Sequence, residues 1–66
     1  MNDREKLKHL VAHWEEHNVE HAHSYNEWSK KMGAIDHREA QHLLDIIAEK
    51  TLDLGSYFKE LRRLLD

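Results

Sequence analysis

The chain has 66 residues, with 13 acidic against 10 basic side chains, and contains no cysteine, no proline and only two glycines. Disulfides and thiolate metal sites are therefore excluded, and an all-β fold is disfavoured because its corners need glycine and proline. The net charge of −3, with both signs mixed along the chain, leaves no basic face for a phosphate backbone, so no nucleic acid partner is expected.

The first predicted element is a helix from about Asp3 to Met32. Asn2 is suited to cap its N terminus, and Glu5 can complete a capping box. Gly33 is the expected left-handed cap at its C terminus. A stripe with steps of three and four residues runs along this helix, and we expect its aromatic members to lie in the core. Its members are Leu7, Val11, Trp14, Asn18, His21, Tyr25, Trp28 and Met32.

The second predicted element is a helix from Asp36 to about Leu65, with Asp36 as its N-cap and Glu39 at the third helical position. Its apolar stripe keeps the same phase on both sides of Gly55, which favours one helix that is at most bent there. The alternative is a separate third helix at 56–65 that begins at Ser56. The stripe consists of Ala40, Leu43, Ile47, Leu54, Phe58, Leu61 and Leu65.

Two long helices joined by a tight loop predict an all-α fold, an antiparallel two-helix hairpin that forms a single domain over residues 1–66. The second helix keeps further apolar residues outside its stripe. We therefore expect two hairpins to pair as a homodimer, forming a four-helix bundle. The sequence has neither a transmembrane run nor a signal peptide, so a soluble cytoplasmic protein without a membrane partner is expected.

Histidine is the unusual component, with seven residues in the chain. Those in the first helix are His9, His13, His17, His21 and His23. Residues four apart lie on the same side of a helix, so two such imidazoles can bind one cation. At 100° per residue, His21 and His17 lie about 20° and 60° from the centre of the predicted stripe, and His13 lies about 100° from it. The predicted metal ligands are His17 and His21, with His13 as an auxiliary ligand and Asn18 as a hydrogen-bond partner of a ligating imidazole.

A single chain does not complete this predicted site. The segment of the second helix opposite His17 and His21 is 47–51, where Glu49 is the only suitable ligand, and Glu49 points away from the stripe. A homodimer that joins two pairs of His17 and His21 supplies four imidazoles, which suit zinc, nickel, cobalt or copper. The expected function is storage, delivery or sensing of a transition metal ion, with zinc or nickel as the expected cofactor. The alternative is a non-catalytic homodimerisation module whose buried His–Asn layer fixes the register without metal.

No enzymatic activity is expected, since no nucleophile lies beside a base and Glu20 points about 100° away from His21. The run from His13 to Ala22 resembles an uncharacterised family of very short helical proteins, chiefly from anaerobic bacteria and archaea, with an H-W-x-E-H-N-x-E-H-A core. This resemblance implies a small helical domain with a His-centred motif and no assigned activity. The chain also resembles ferritin-like bundles more loosely. Because Asn18 stands where those bundles have a bridging Glu, and an amide cannot bridge two irons as a carboxylate does, iron chemistry is not expected.

Overall fold

The structure, a computed structural model, describes residues 2–66 and contains two helices there. Helix α1 is Asp3–Ala34 and helix α2 is Arg38–Leu65. The helices pack antiparallel along their whole length and form a rod with extents of 50 × 16 × 11 Å. The predicted two-helix hairpin is confirmed. The alternative with a separate third helix is wrong, because α2 continues through Gly55 without a break.

The start of α1 is capped as the sequence predicts. The side-chain oxygen of Asn2 accepts the Glu5 backbone N–H at 2.9 Å, which satisfies one of the free donors of the first turn. Asp3 and Glu5 also place negative charge near the positive end of the helix dipole. Neither α1 nor α2, as described over residues 2–66, is long and apolar enough to cross a membrane.

The predicted caps at the loop are wrong. Asp36, and not Gly33, takes the left-handed conformation, with φ of 61°. The N-cap of α2 is His37, whose Nδ1 accepts the Ala40 backbone N–H at 3.4 Å. Gly33 lies inside α1, and a Cβ added there would come within 2.6 Å of the Gln41 side-chain nitrogen. That nitrogen is the end of a flexible side chain that can move aside, while an aspartate, which tolerates the left-handed region, makes the turn.

The buried residues of the seam between the helices have small side chains. Val11, Ala22, Ser29 and Ala48 are buried there. Half-buried side chains extend the seam along both helices: Leu7, Asn18, Tyr25 and Met32 from α1, and Ala40, Leu44, Thr51, Gly55, Phe58, Leu61 and Leu65 from α2. Small residues at a contact allow two helix axes to approach closely.

The predicted stripes are therefore wrong in part. In α1 the seam uses Ala22 and Ser29, whereas Trp14 and Trp28 are 42% and 52% exposed and His21 is exposed. In α2 the predicted members Leu43, Ile47 and Leu54 are exposed. Bulky rings at the contact would hold the helices apart, so the helices are rotated, by about 50° for α1, relative to the predicted orientation.

Polar side-chain contacts fix the register of the two helices. In the middle of the seam, Asn18 donates from Nδ2 to the Thr51 carbonyl oxygen at 2.8 Å. The other contacts are Ser29 with Asp45, Glu15 with Arg62 at 3.3 Å and Lys8 with Asp66 at 3.1 Å. At 100° per residue, these three contacts all lie on the same side of the bond between Asn18 and Thr51. One side of the hairpin is thus the charged side.

Replacing Gly55 by alanine is expected to stabilise the protein. A Cβ at this position would lie 3.8 Å from Asn18 Nδ2, an ordinary van der Waals contact. A glycine inside a helix is about 0.5 to 1 kcal/mol less favourable than alanine, so Gly55→Ala should raise the free energy of unfolding by about that amount. Urea unfolding at one fixed protein concentration measures the difference. A lower stability would show that the seam has no room for the added methyl group.

Candidate functional site

A broad apolar surface lies on the side of the hairpin opposite the charged contacts. We call it the apolar face, and its members are Leu10, Trp14 and Trp28 from α1 and Leu43, Ile46, Ile47, Leu54, Tyr57 and Leu64 from α2. These side chains are 36% to 72% exposed. Among the large exposed hydrophobic residues of the described chain, only Val19, Ile35 and Leu52 lie elsewhere. Large exposed apolar patches are typical of interaction surfaces, so this side of the hairpin is the candidate site.

Helical geometry places the apolar residues of both helices on one surface. On α1, Glu15 lies on one side of the seam and Trp14 and Trp28 lie on the other. On α2, Arg62 lies on one side and Leu54 lies on the other by the same projection. Because Glu15 contacts Arg62, the charged sides of the two helices adjoin. Their opposite sides, which carry the apolar residues, therefore also adjoin.

A heptad pattern with steps of four and three runs along the α2 part of the apolar face. Five of its positions are members of the face, while Lys50 interrupts it and Leu61 belongs to the seam. The five are Leu43, Ile47, Leu54, Tyr57 and Leu64. A pattern of this length is typical of a helix that packs against another helix. An open hollow of about 520 Å³, lined by Ile46, Ile47, Leu54 and Tyr57 among others, lies along this stripe and can accept side chains of a further helix.

Three imidazoles form a ladder along the α1 side of the apolar face. We call His13, His17 and His21 the His ladder. The ring centroids of His13 and His17 are 4.2 Å apart, and those of His17 and His21 are 6.3 Å apart. The ring of Tyr25 stacks on His21 at 6.2 Å and continues the row. The helical spacing of four residues therefore does bring the predicted ligands side by side.

The prediction that the stripe containing His21 and flanked by His17 packs against α2 is wrong at these two residues. Both side chains are exposed and lie between Trp14 and Trp28 on the apolar face, because the small-residue seam turns this side of α1 away from α2. Asn18 is the predicted site residue that does face α2, where its amide donates to the backbone of Thr51. Within one hairpin the Asn18 amide therefore joins α1 to α2 and does not hydrogen-bond to an imidazole of the His ladder.

The His ladder does not form a complete metal site within one chain. Over residues 2–66, no group of three His, Asp or Glu side chains is placed to hold a metal ion. The nearest acidic group to the ladder is Glu20, whose Oε2 lies 4.0 Å from His17 Nδ1. One hairpin therefore offers pairs of imidazoles, and a tetrahedral ion needs two further ligands.

Asn18→Asp is expected to destabilise the hairpin. The carboxylate would replace the donating amide and face the Thr51 carbonyl oxygen in a partly buried position, which leaves two acceptors opposed. We expect a loss of about 1 to 3 kcal/mol in the free energy of unfolding. Asn26→Asp is the matched control, since Asn26 is exposed on the same helix. Equal urea midpoints for the two variants would contradict a structural role of this hydrogen bond.

No curated protein and no solved structure matches the chain. One family model, described as a domain of unknown function (DUF8180), matches residues 7–65. The matched region contains the His ladder, the whole apolar face and the seam. It agrees with the expected membership in a family without an assigned activity, while the H-W-x-E-H-N-x-E-H-A motif and its distribution stay predictions. The chain belongs to the DUF8180 family.

Proposed function

We propose that this protein is a homodimerisation module in which two hairpins pack through their apolar faces into a four-helix bundle. The observation that carries this proposal is the apolar face, a group of large exposed apolar side chains that both helices contribute to one side of the hairpin. Its heptad spacing on α2 suits packing against helices of a second hairpin.

The accessible area supports an interface of ordinary size. The chain exposes 5301 Å², whereas a compact folded monomer of 7.9 kDa is expected to expose about 4,400 Å². The excess of about 900 Å² is close to the ~800 Å² that each partner buries in a standard interface. Two such faces together give about 1,800 Å², within the range of about 1,200 to 2,000 Å² for specific, stable complexes.

The small core of the hairpin favours a second copy as the occupant. Val11, Ala22 and Ala48 are the buried apolar side chains of the described chain, and the larger apolar side chains of the seam are only half-buried. A core of this size cannot offset the conformational entropy of ordering two long helices. The covering partner must therefore be present whenever the chain folds, and a second copy of the chain always meets this condition.

Equilibrium sedimentation of the purified chain tests the proposal. We expect twice the chain mass of 7.9 kDa across the micromolar range. A monomer throughout this range would contradict the proposed dimer. Masses that keep growing with concentration would contradict it as well, because a two-fold interface closes on itself and leaves no apolar face free.

The His ladder favours a second function on the same surface, the binding of a transition metal ion such as zinc, nickel, cobalt or copper. His17 and His21 have the spacing of ligand pairs on helices, and His13 extends the row. The resulting dimer would store, deliver or sense the ion. Calorimetry with zinc, nickel and cobalt should show micromolar or tighter binding. The absence of binding for all three ions would contradict this function.

A further inference from the structure

We infer that α1 packs antiparallel on α1 of the partner copy, about a two-fold axis that passes between His17 and His21. This inference rests on the proposed homodimer. The two copies then share one transition metal site, formed by two imidazoles from each chain. Neither chain can form the site alone, which agrees with the lack of a three-ligand group over residues 2–66.

Two-fold symmetry allows two ways of pairing the apolar faces. If the axis runs across the helices, α1 lies on α1 of the partner and the two loops lie at opposite ends of the bundle. If the axis runs along the helices, α1 lies on α2 of the partner and the loops lie at the same end. The positions of the polar residues on the apolar face distinguish these arrangements.

The imidazoles favour loops at opposite ends. Asn18 hydrogen-bonds to Thr51 and lines the same hollow as Gly55, which shows which parts of α1 and α2 lie at the same level. By the same register, His17 is level with Leu54, and His21 is level with Lys50. With the loops at the same end, the partner's Leu54 would cover His17 and the partner's Lys50 would cover His21. The buried imidazole nitrogens would then have no suitable hydrogen-bonding group.

With loops at opposite ends, His17 lies level with the partner's His21, and the reverse holds by symmetry. Four imidazoles then surround a point on the two-fold axis. Four neutral nitrogen ligands suit a tetrahedral ion such as zinc, with metal–nitrogen distances of about 2.0 to 2.1 Å. His13 lies level with the partner's Tyr25 and is outside this set of four.

The remaining side chains agree with this register. An axis between His17 and His21 places Leu10 level with the partner's Trp28. On α2 it places Ile47 level with the partner's Tyr57, so apolar groups meet apolar groups.

The charges on the face favour the same arrangement. Lys50 of each copy lies beside the partner's Asp53, which gives two symmetric pairs of opposite charges across the interface. With the loops at the same end, Lys50 would instead face the partner's His21. The charge complementarity of the apolar face is therefore specific to one axis.

Spin labels at the loop measure the arrangement directly. Ala34 is exposed at the end of α1 and lies off the apolar face, and the chain has no cysteine of its own. In Ala34→Cys, loops at opposite ends place the two labels about 45 Å apart along the bundle. Loops at the same end place them within about 25 Å. Arg38→Cys, at the start of α2, is a second labelling site with an expected separation of about 42 Å.

The same samples test the shared site by titration with cobalt. We expect one ion for every two chains and an absorption spectrum typical of tetrahedral coordination. A dimer with short label distances would overturn this packing and leave the proposed dimer intact. Long distances with no metal bound, or with one ion for each chain, would overturn the shared site. A chain that sediments as a monomer would instead contradict the proposed function itself.

Discussion

Leu54→Lys is expected to dissociate the dimer, whereas Leu52→Lys is expected to leave it intact. Both leucines lie on α2 with similar exposure, 50% for Leu54 and 57% for Leu52. They differ in position, since Leu54 lies in the centre of the apolar face and Leu52 lies on the opposite surface, near Val19. The two variants also carry the same net charge. A difference in their dimerisation therefore shows which surface of α2 forms the interface.

The expected effect is large because the new charge lies in the middle of the interface. Each dimer would bury two added ammonium groups, and in the inferred packing each one lies level with the partner's Lys50. We expect the dissociation constant to rise at least about 100-fold, equivalent to about 2.8 kcal/mol. Equilibrium sedimentation at matched concentrations measures this change. If both variants dimerise equally, the apolar face is not the interface. If both variants lose the dimer, the interface includes the surface around Leu52 as well as the apolar face.

The helices themselves are predicted well from the sequence, because their signals are local. The predicted first helix, from Asp3 to Met32, is observed as Asp3–Ala34, and the predicted second helix is observed as Arg38–Leu65. The capping interaction of Asn2 depends only on residues within one turn. Continuity through Gly55 follows from a stripe whose phase does not change there.

The choice of the seam could not be predicted by counting hydrophobic residues. Helix α1 carries two overlapping heptad patterns, one with Trp14, His21 and Trp28 and the other with Ala22 and Ser29. Hydrophobicity favours the first pattern, but the close approach of two helices favours the small residues of the second. A periodic stripe also looks the same whether its residues are buried within a chain or against another chain.

The loop shows the same limit on a smaller scale. Gly33 is the residue that local rules favour for a left-handed turn, yet α1 continues through it to Ala34. The turn then falls on Asp36. Glycine and aspartate both tolerate the left-handed region, so the local pattern does not determine which of them ends the helix.

The sequence predicts which residues form the candidate site, but it does not predict on which surface of the hairpin they lie. The sequence indicates that His13, His17 and His21 form one row, and the structure brings their rings side by side. Their predicted placement on the side of α1 that faces α2 is wrong because it followed from the wrong seam. Their position on the apolar face makes a site between two chains the arrangement that the geometry favours.

Removing both central imidazoles is expected to abolish metal binding. In His17→Ala with His21→Ala, the shared site loses all four ligands, since each copy contributes the same two. Changing residues that only hydrogen-bond to a ligand costs about 10- to 100-fold in affinity, so loss of the ligands themselves should exceed about 100-fold. The matched control is His9→Ala with His23→Ala, which removes two exposed imidazoles of the same helix outside the His ladder.

Calorimetry with zinc on both double variants, combined with sedimentation, separates the two roles of this surface. If the ladder binds the ion, the control keeps the affinity of the wild type and the ladder variant loses it, while both remain dimers because alanine preserves the apolar character of the face. Zinc should also raise the thermal midpoint of the control and leave that of the ladder variant unchanged, since an ion that binds only the folded dimer stabilises it. Equal affinities in the two variants would show that the ion binds elsewhere, and the His ladder would then be a polar layer of the interface without a metal.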